Sequence, residues 1–207
     1  MKKKLLYIGY WILQCTWGAI MTLIGAIAAL IFICMGEKPS RIGPNVYFTI
    51  GKEWGGVSLG PFIFCSECIT DSIKYHEYGH SLQNIIWGPL FPFIIGIPSM
   101  ARYWLRTMPT RMQKSLFNLF FLLGELVLTT LLACITGPCL HLHWTTIGIE
   151  ILRVYLSLVS IWLTLFEIPK YDVGQVDYDS IWFEGQATTW GTKMYKEKEL
   201  NYGKNRK

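Results

Sequence analysis

At 207 residues the chain is long enough for one compact domain, yet 52% of its residues are hydrophobic and only 16% are charged, with a positive mean hydropathy of +0.32. That balance excludes a disordered chain and argues against an ordinary cytosolic enzyme. The net charge of +5, from 19 basic and 14 acidic residues, sits in polar stretches beside apolar ones as membrane flanks do, so the expected partner is membrane lipid and not nucleic acid.

Residues 5–35, Leu5 to Met35, contain no ionisable side chain stronger than tyrosine or cysteine. At about 1.5 Å per residue, a straight helix of that length exceeds the ~30 Å hydrocarbon core, so the segment must tilt, bend or fold back. Lys2, Lys3 and Lys4 followed by an apolar run resemble the start of a signal peptide. The run is too long for such a peptide and lacks a small-x-small cleavage site, so a retained membrane segment is expected. Over 36–70 the composition turns to Gly, Pro, β-branched and aromatic residues. Val46-Tyr47-Phe48-Thr49-Ile50 and Val57-Ser58-Leu59, separated by a stretch containing Gly51, Gly55 and Gly56, predict the strands of a β hairpin.

Thr70, Asp71 and Ser72 offer N-caps for a helix over 71–87, which Gly88-Pro89 stops. The apolar residues 88–100 carry Pro89, Pro92, Gly96 and Pro98 and predict a re-entrant or broken segment rather than a full span. Arg102, Arg106, Arg111 and Lys114 follow. Residues 115–137 and 145–168, joined by Gly137-Pro138-Cys139-Leu140-His141-Leu142-His143, predict a transmembrane hairpin. The tail, 169–207, is polar and ends in a basic run expected to be disordered. The fold expected is a single integral-membrane domain over 1–207: mainly α, a multi-pass transmembrane helical bundle with a small β hairpin before the 71–87 helix.

The strongest local pattern is His76-Glu77-Tyr78-Gly79-His80, an H-E-x-x-H inside that helix. Residues four apart share one helix face, so His76 and His80 can chelate one Zn2+ ion. Glu77 falls where its carboxylate can take a proton from an attacking water and pass it to a leaving amine. The bland alternative is a polar helix face with a solvated Glu77. A catalytic zinc site usually has three protein ligands, and the best third donor is Glu184 in Trp182-Phe183-Glu184-Gly185-Gln186-Ala187-Thr188-Thr189-Trp190-Gly191. The competing reading of that stretch is an interfacial amphipathic segment in which Trp182, Phe183 and Trp190 meet headgroups and Glu184 faces water.

His76-Glu77-Tyr78-Gly79-His80 followed by Glu184-Gly185-Gln186-Ala187 resembles the gluzincin pattern of the integral-membrane zinc peptidases that include the CAAX prenyl proteases and the HtpX heat-shock proteases. Gly55 to Phe62 and Gly88 to Ser99 also resemble a group of small uncharacterised bacterial membrane proteins carrying H-E-Y-G-H. The resemblance implies a zinc metallopeptidase whose third ligand is the Glu of an E-x-x-A-D segment, here Glu184. Thr188 stands where that pattern has Asp, and a hydroxyl cannot supply the carboxylate that orients a ligating imidazole. Asp177 and Asp179 are the carboxylates nearby, and the sequence does not decide whether either takes that place.

Other polar groups carry less. Among six cysteines, Cys65-Ser66-Glu67-Cys68 is a C-x-x-C that could be redox-active, or could pair with Cys139, His141 and His143 as a second zinc site of unsuitable spacing. Glu125 and the Glu150/Arg153 pair lie in apolar stretches, where ionisable groups usually face a bundle interior or a polar cavity. If one ion is shared, an even number of crossings must separate the two motifs. Treating 88–100 as re-entrant satisfies this and puts the basic residues from Arg102 to Lys114 on the motif side, which the positive-inside rule makes cytoplasmic. Lys2 to Lys4 agree only if the first segment folds back. The function expected is peptide-bond hydrolysis in membrane or hydrophobic protein substrates, the competing one a non-catalytic membrane protein that binds a partner or is purely structural.

Overall fold

A computed structural model describes the chain except Met1, Ile69, 140–142, 172–175 and 205–207, and describes the backbone but not the side chains of some further residues, among them 136–139 and 143–145. The fold is mainly helical with a small mixed sheet: α1 (Lys2–Thr16), α2 (Ala19–Cys34), β1 (Ser40–Ile42), β2 (Asn45–Thr49), β3 (Gly56–Leu59), β4 (Phe62–Cys65), α3 (Asp71–Trp87), α4 (Ile97–Thr107), α5 (Arg111–Cys139), α6 (His143–Trp162), α7 (Ile168–Lys170) and α8 (Trp182–Lys204). Contacts group the chain into two compact units, residues 1–97 with 178–207, and residues 98–177.

In the first unit the long apolar run is two helices, α1 and α2, meeting at 97°. The bend falls at Trp17-Gly18, where the Asn84 amide donates to the Gly18 carbonyl at 3.2 Å and to Gln14 Oε1 at 2.6 Å. A side chain on residue 18 would occupy the place of that amide. The wider network is buried: Tyr10 donates to Asn45 Oδ1 at 2.5 Å and bonds Ser81 on α3, and Gln14 donates to the Ser81 carbonyl at 2.9 Å. Polar groups removed from water need such partners, and here they tie α1 to α3.

The sheet differs from the single hairpin expected. β2 does not pair with β3; it pairs in parallel with β4, Val46 opposite Phe62, while β3 pairs antiparallel with β4 and β1 antiparallel with β2, giving the order β1-β2-β4-β3. Alternation along β4 explains its central place. Phe64 joins Phe48 and Ala29 of α2 in one cluster, whereas Ile63 and Cys65 face Tyr78 of α3 in another, as the period-2 geometry of a strand requires. The β3–β4 turn needs Gly60, whose φ of +62° is unfavourable for a residue with a side chain.

α3 begins at Thr70, whose carbonyl accepts from Ile73 and Lys74 although its side chain makes no capping bond. It stops at Gly88, where φ is +50°. A 3₁₀ turn (Gly88–Leu90) and a π-helical turn (Pro92–Gly96) follow, so regular α-helix is interrupted across the proline-bearing segment.

In the second unit, Arg111–Ile135 and Thr146–Lys170 are each 25 residues long with mean hydropathies of 2.0 and 1.7, long and apolar enough to cross a membrane. Two bent pairs, Lys4–Thr16 with Ala19–Cys34 and Asp71–Leu90 with Pro92–Thr107, reach that threshold only when each pair is counted as one span. Asn118 of α5 is tied to Ser160 and Thr164, and Glu125 accepts from Ser157 at 3.0 Å. Glu125 is thus buried against α6, whereas Glu150 and Arg153 pair at 3.2 Å on an exposed face. Arg102 and Glu167, both fully buried, form an ion pair at 3.1 Å beside the Leu105 and Leu163 core.

Candidate metal centre

Two helices build the site, and small residues let them meet. A Cβ on Gly79, inside the H-E-x-x-H, would lie 2.6 Å from the carbonyl carbon of Ala187 on α8. A Cβ on Gly191 would run into the Tyr75 carbonyl of α3 and approach the His76 backbone nitrogen to 3.0 Å. The backbones of α3 and α8 are therefore in direct contact at two places, and Glu184, about one turn before Ala187, is brought over the histidine face.

The three expected ligands converge. His76 Nε2 lies 3.0 Å from His80 Nε2 and 3.2 Å from Glu184 Oε2, which is 3.1 Å from His80 Nε2. Tetrahedral zinc with donors at about 2.0–2.1 Å places those donors about 3.3 Å apart, so this triangle fits the ion with little adjustment. Among the described residues it is the one cluster of three or more His, Cys, Asp or Glu side chains arranged to hold a metal. Glu184 is fully buried and Phe183 lies in a core with Met21, Phe91 and Ile95. The segment is therefore not a headgroup-facing stretch with Glu184 in water.

Outer partners set the chemistry of the donors. His80 Nδ1 bonds Gln83 Oε1 at 2.7 Å. The Gln83 amide nitrogen donates to the Phe183 carbonyl at 2.7 Å and to Gln186 Oε1 at 3.0 Å, which fixes the oxygen toward His80. Nδ1 of His80 therefore carries a proton, and Nε2, the nitrogen that faces the Glu184 carboxylate, is the one that takes either a second proton or a metal ion. Two acceptors at such a distance repel unless a positive charge lies between them. Burial acts against charge on His80, but the bond and charge of Glu184, with Glu77, outweigh it and hold the imidazole up at about 9. His76 Nδ1 lies 2.7 Å from Thr188 Oγ1, and Thr188 Oγ1 lies 2.8 Å from Asp179 Oδ1. The Tyr178 ring stands edge-on to His76 with centroids 5.5 Å apart.

Glu77 is buried beside the triangle, where it feels the charges of His80, His76 and Glu184. Burial raises its carboxyl above the ordinary range, the two histidines pull it back, and Glu184 adds to the rise. Its side chain lies against β3: a Cβ on Gly56 would come within 3.0 Å of Glu77 Oε1 and of Cys65 Sγ. Cys65 is a buried free thiol, pushed up to about 12 by burial and by Glu77, whereas Cys68 is exposed and free. The two are not joined in a disulfide. Of Cys139, His141 and His143, the side chains lie outside the described residues.

The sequence reading did not single out Gln83, and it did not pair Thr188 with Asp179. Gln83 carries a usable signal, since a residue three after a ligating histidine shares its helix face. Against this geometry, no family model, curated protein or solved structure matches the chain.

Proposed function

We propose that this chain is a membrane-embedded zinc metallopeptidase of gluzincin type, acting on peptide bonds of membrane or hydrophobic proteins. The observation that carries the reading is the His76, His80 and Glu184 triangle of 3.0–3.2 Å with a buried glutamate, Glu77, directly after the first histidine. These three side chains would hold the ion, which when bound supplies a Lewis acid and makes water a nucleophile near neutral pH. Glu77 takes the proton of the attacking water and passes it to the leaving amine. Its raised carboxyl pKa suits both roles, because a general base works best when its pKa lies near the working pH. β3 is one of the two edge strands of the sheet and its Gly56 adjoins Glu77, a place where an extended peptide would be presented to the carboxylate.

The apolar α5 and α6 support a multi-pass protein, and the basic residues Arg106, Arg111 and Lys114 before or at the start of the first candidate span support a cytoplasmic site. Thr188 in place of a carboxylate favours the second reading, a metal-binding protein without peptidase activity. Glu77→Gln separates the two. It should keep zinc and fold while abolishing cleavage, since an amide cannot accept the water's proton. Comparing membrane proteomes of cells making wild type or Glu77→Gln reads the loss and identifies substrates; proteolysis by purified protein that survives the substitution unchanged refutes the mechanism.

A further inference from the structure

We infer that Asp179 is a positioning residue for the metal centre, acting through the Thr188 hydroxyl to fix the proton of His76 on Nδ1. The inference rests on the metal-centre reading and concerns how His76 is made a ligand. Thr188 Oγ1 stands between two groups, 2.7 Å from His76 Nδ1 and 2.8 Å from Asp179 Oδ1. A hydroxyl has one proton, and a carboxylate can only accept. The Thr188 proton therefore goes to Asp179, and the Thr188 oxygen is left to accept from His76. Nδ1 of His76 must then be the protonated nitrogen, and Nε2 turns its lone pair to His80 and Glu184.

Without Asp179 that direction is no longer imposed. The Thr188 hydroxyl could equally donate to Nδ1, which would put the imidazole proton on Nε2 and point it at the place where the ion binds. Thr188 alone is consequently a switchable partner; the carboxylate makes it a fixed acceptor. Ligating histidines commonly give their second N–H to a carboxylate. Here the carboxylate is set one hydroxyl further out.

The local fold is built for this reach. Asp179 lies in the 3₁₀ turn Tyr178–Ser180 just before α8, and Thr188 is the residue four after Glu184 on that helix. The turn can lie back against α8 because residue 185 is glycine: a Cβ there would come within 2.8 Å of the Asp179 carbonyl oxygen. The same turn presents the Tyr178 ring to His76, so one short segment holds the imidazole both by its edge and through Nδ1. The bond is not a generic cap, since Thr189, the next residue, spends its hydroxyl on the Gly185 carbonyl of its own helix at 2.7 Å.

The test is zinc affinity of the purified full-length chain, measured by competition with a chelator, for wild type, Asp179→Ala, Asp179→Asn, Thr188→Val, the Thr188→Val/Asp179→Ala pair, and Thr188→Asp with and without Asp179→Ala. Asp179→Ala and Thr188→Val should each weaken zinc about 10- to 100-fold, the usual effect of losing an outer partner of a ligand. The double variant should be no weaker than the worse single one, because both break the same chain of bonds. Asp179→Asn, which still accepts from the hydroxyl but without charge, should fall between wild type and Asp179→Ala. Thr188→Asp, which brings a carboxylate directly to Nδ1, should make affinity independent of Asp179. Wild-type affinity in Asp179→Ala, or losses that multiply in the double variant, overturns the inference while leaving the metal centre standing. A wild-type chain that binds no zinc overturns the metal centre and the inference together.

Discussion

Gly79→Ala is the sharpest probe of how α8 delivers the third ligand, because two known effects oppose each other there. In an exposed helix, replacing glycine by alanine stabilises by about 1 kcal/mol through backbone entropy. At residue 79 the new Cβ would stand 2.6 Å from the Ala187 carbonyl carbon, short of an unstrained carbon contact by about 0.9 Å. The obstacle is backbone, so a rotamer change cannot relieve it and the helices must part. Overpacking of this kind costs about 1–3 kcal/mol, and with no flexible neighbour the upper end applies, leaving a net loss of about 2 kcal/mol. The metal tolerates less: ligand positions must hold to about 0.2 Å, so a shift several times larger at Glu184 should lower zinc affinity at least tenfold. The assays are denaturant unfolding in detergent and chelator competition, with Gly9→Ala as control, since a Cβ on Gly9 has nothing within 4 Å. The control should be neutral or stabilising. If Gly79→Ala is as stable as the control and binds zinc as wild type does, the close backbone contact does not position Glu184.

Other expectations follow from separate parts of the chain. Arg102→Met should destabilise by about 3 kcal/mol, because it leaves the buried Glu167 carboxylate with Lys170 alone, whereas adding Glu167→Leu should recover most of that loss; equal stability of the single variant and wild type in denaturant unfolding would contradict the ion pair. Cys65, buried and pushed up to about 12, should resist alkylation at pH 8 while the exposed Cys68 reacts, and both should label after denaturation. Peptide mass spectrometry reads the difference, and equal native labelling would show that β4 is not covered.

The parts of the fold legible in the sequence are those governed by local rules. The 71–87 helix was readable because Gly88 takes a left-handed φ that ends it, and the H-E-x-x-H spacing alone puts His76 and His80 on one face. The single hairpin failed because alternation tells which way side chains point and not which strand is the neighbour, so the parallel pairing of β2 with β4 left no signal. The position of the bend in residues 5–35 was hidden too, since no proline marks it and the Asn84 amide that receives Gly18 lies on another helix. Glu184 was reached from the need for a third protein donor, and the resemblance agrees with it. What seats it, backbone contact at Gly79 and Gly191, depends on the absence of side chains, which pattern reading scores as neutral. Thr188 looked like a lost function because it was judged by its own chemistry. Its bond to Asp179, nine residues away, completes the link only in three dimensions.

The central claim is that His76, His80 and Glu184 hold one metal ion, and elemental analysis of the purified chain tests it most directly. Wild type should carry about one zinc per chain, and His76→Ala, His80→Ala and Glu184→Ala should each lose most of it, because a site of three protein donors does not survive as two at ordinary zinc concentrations. Equal zinc in all four proteins, or none in wild type, would contradict the account.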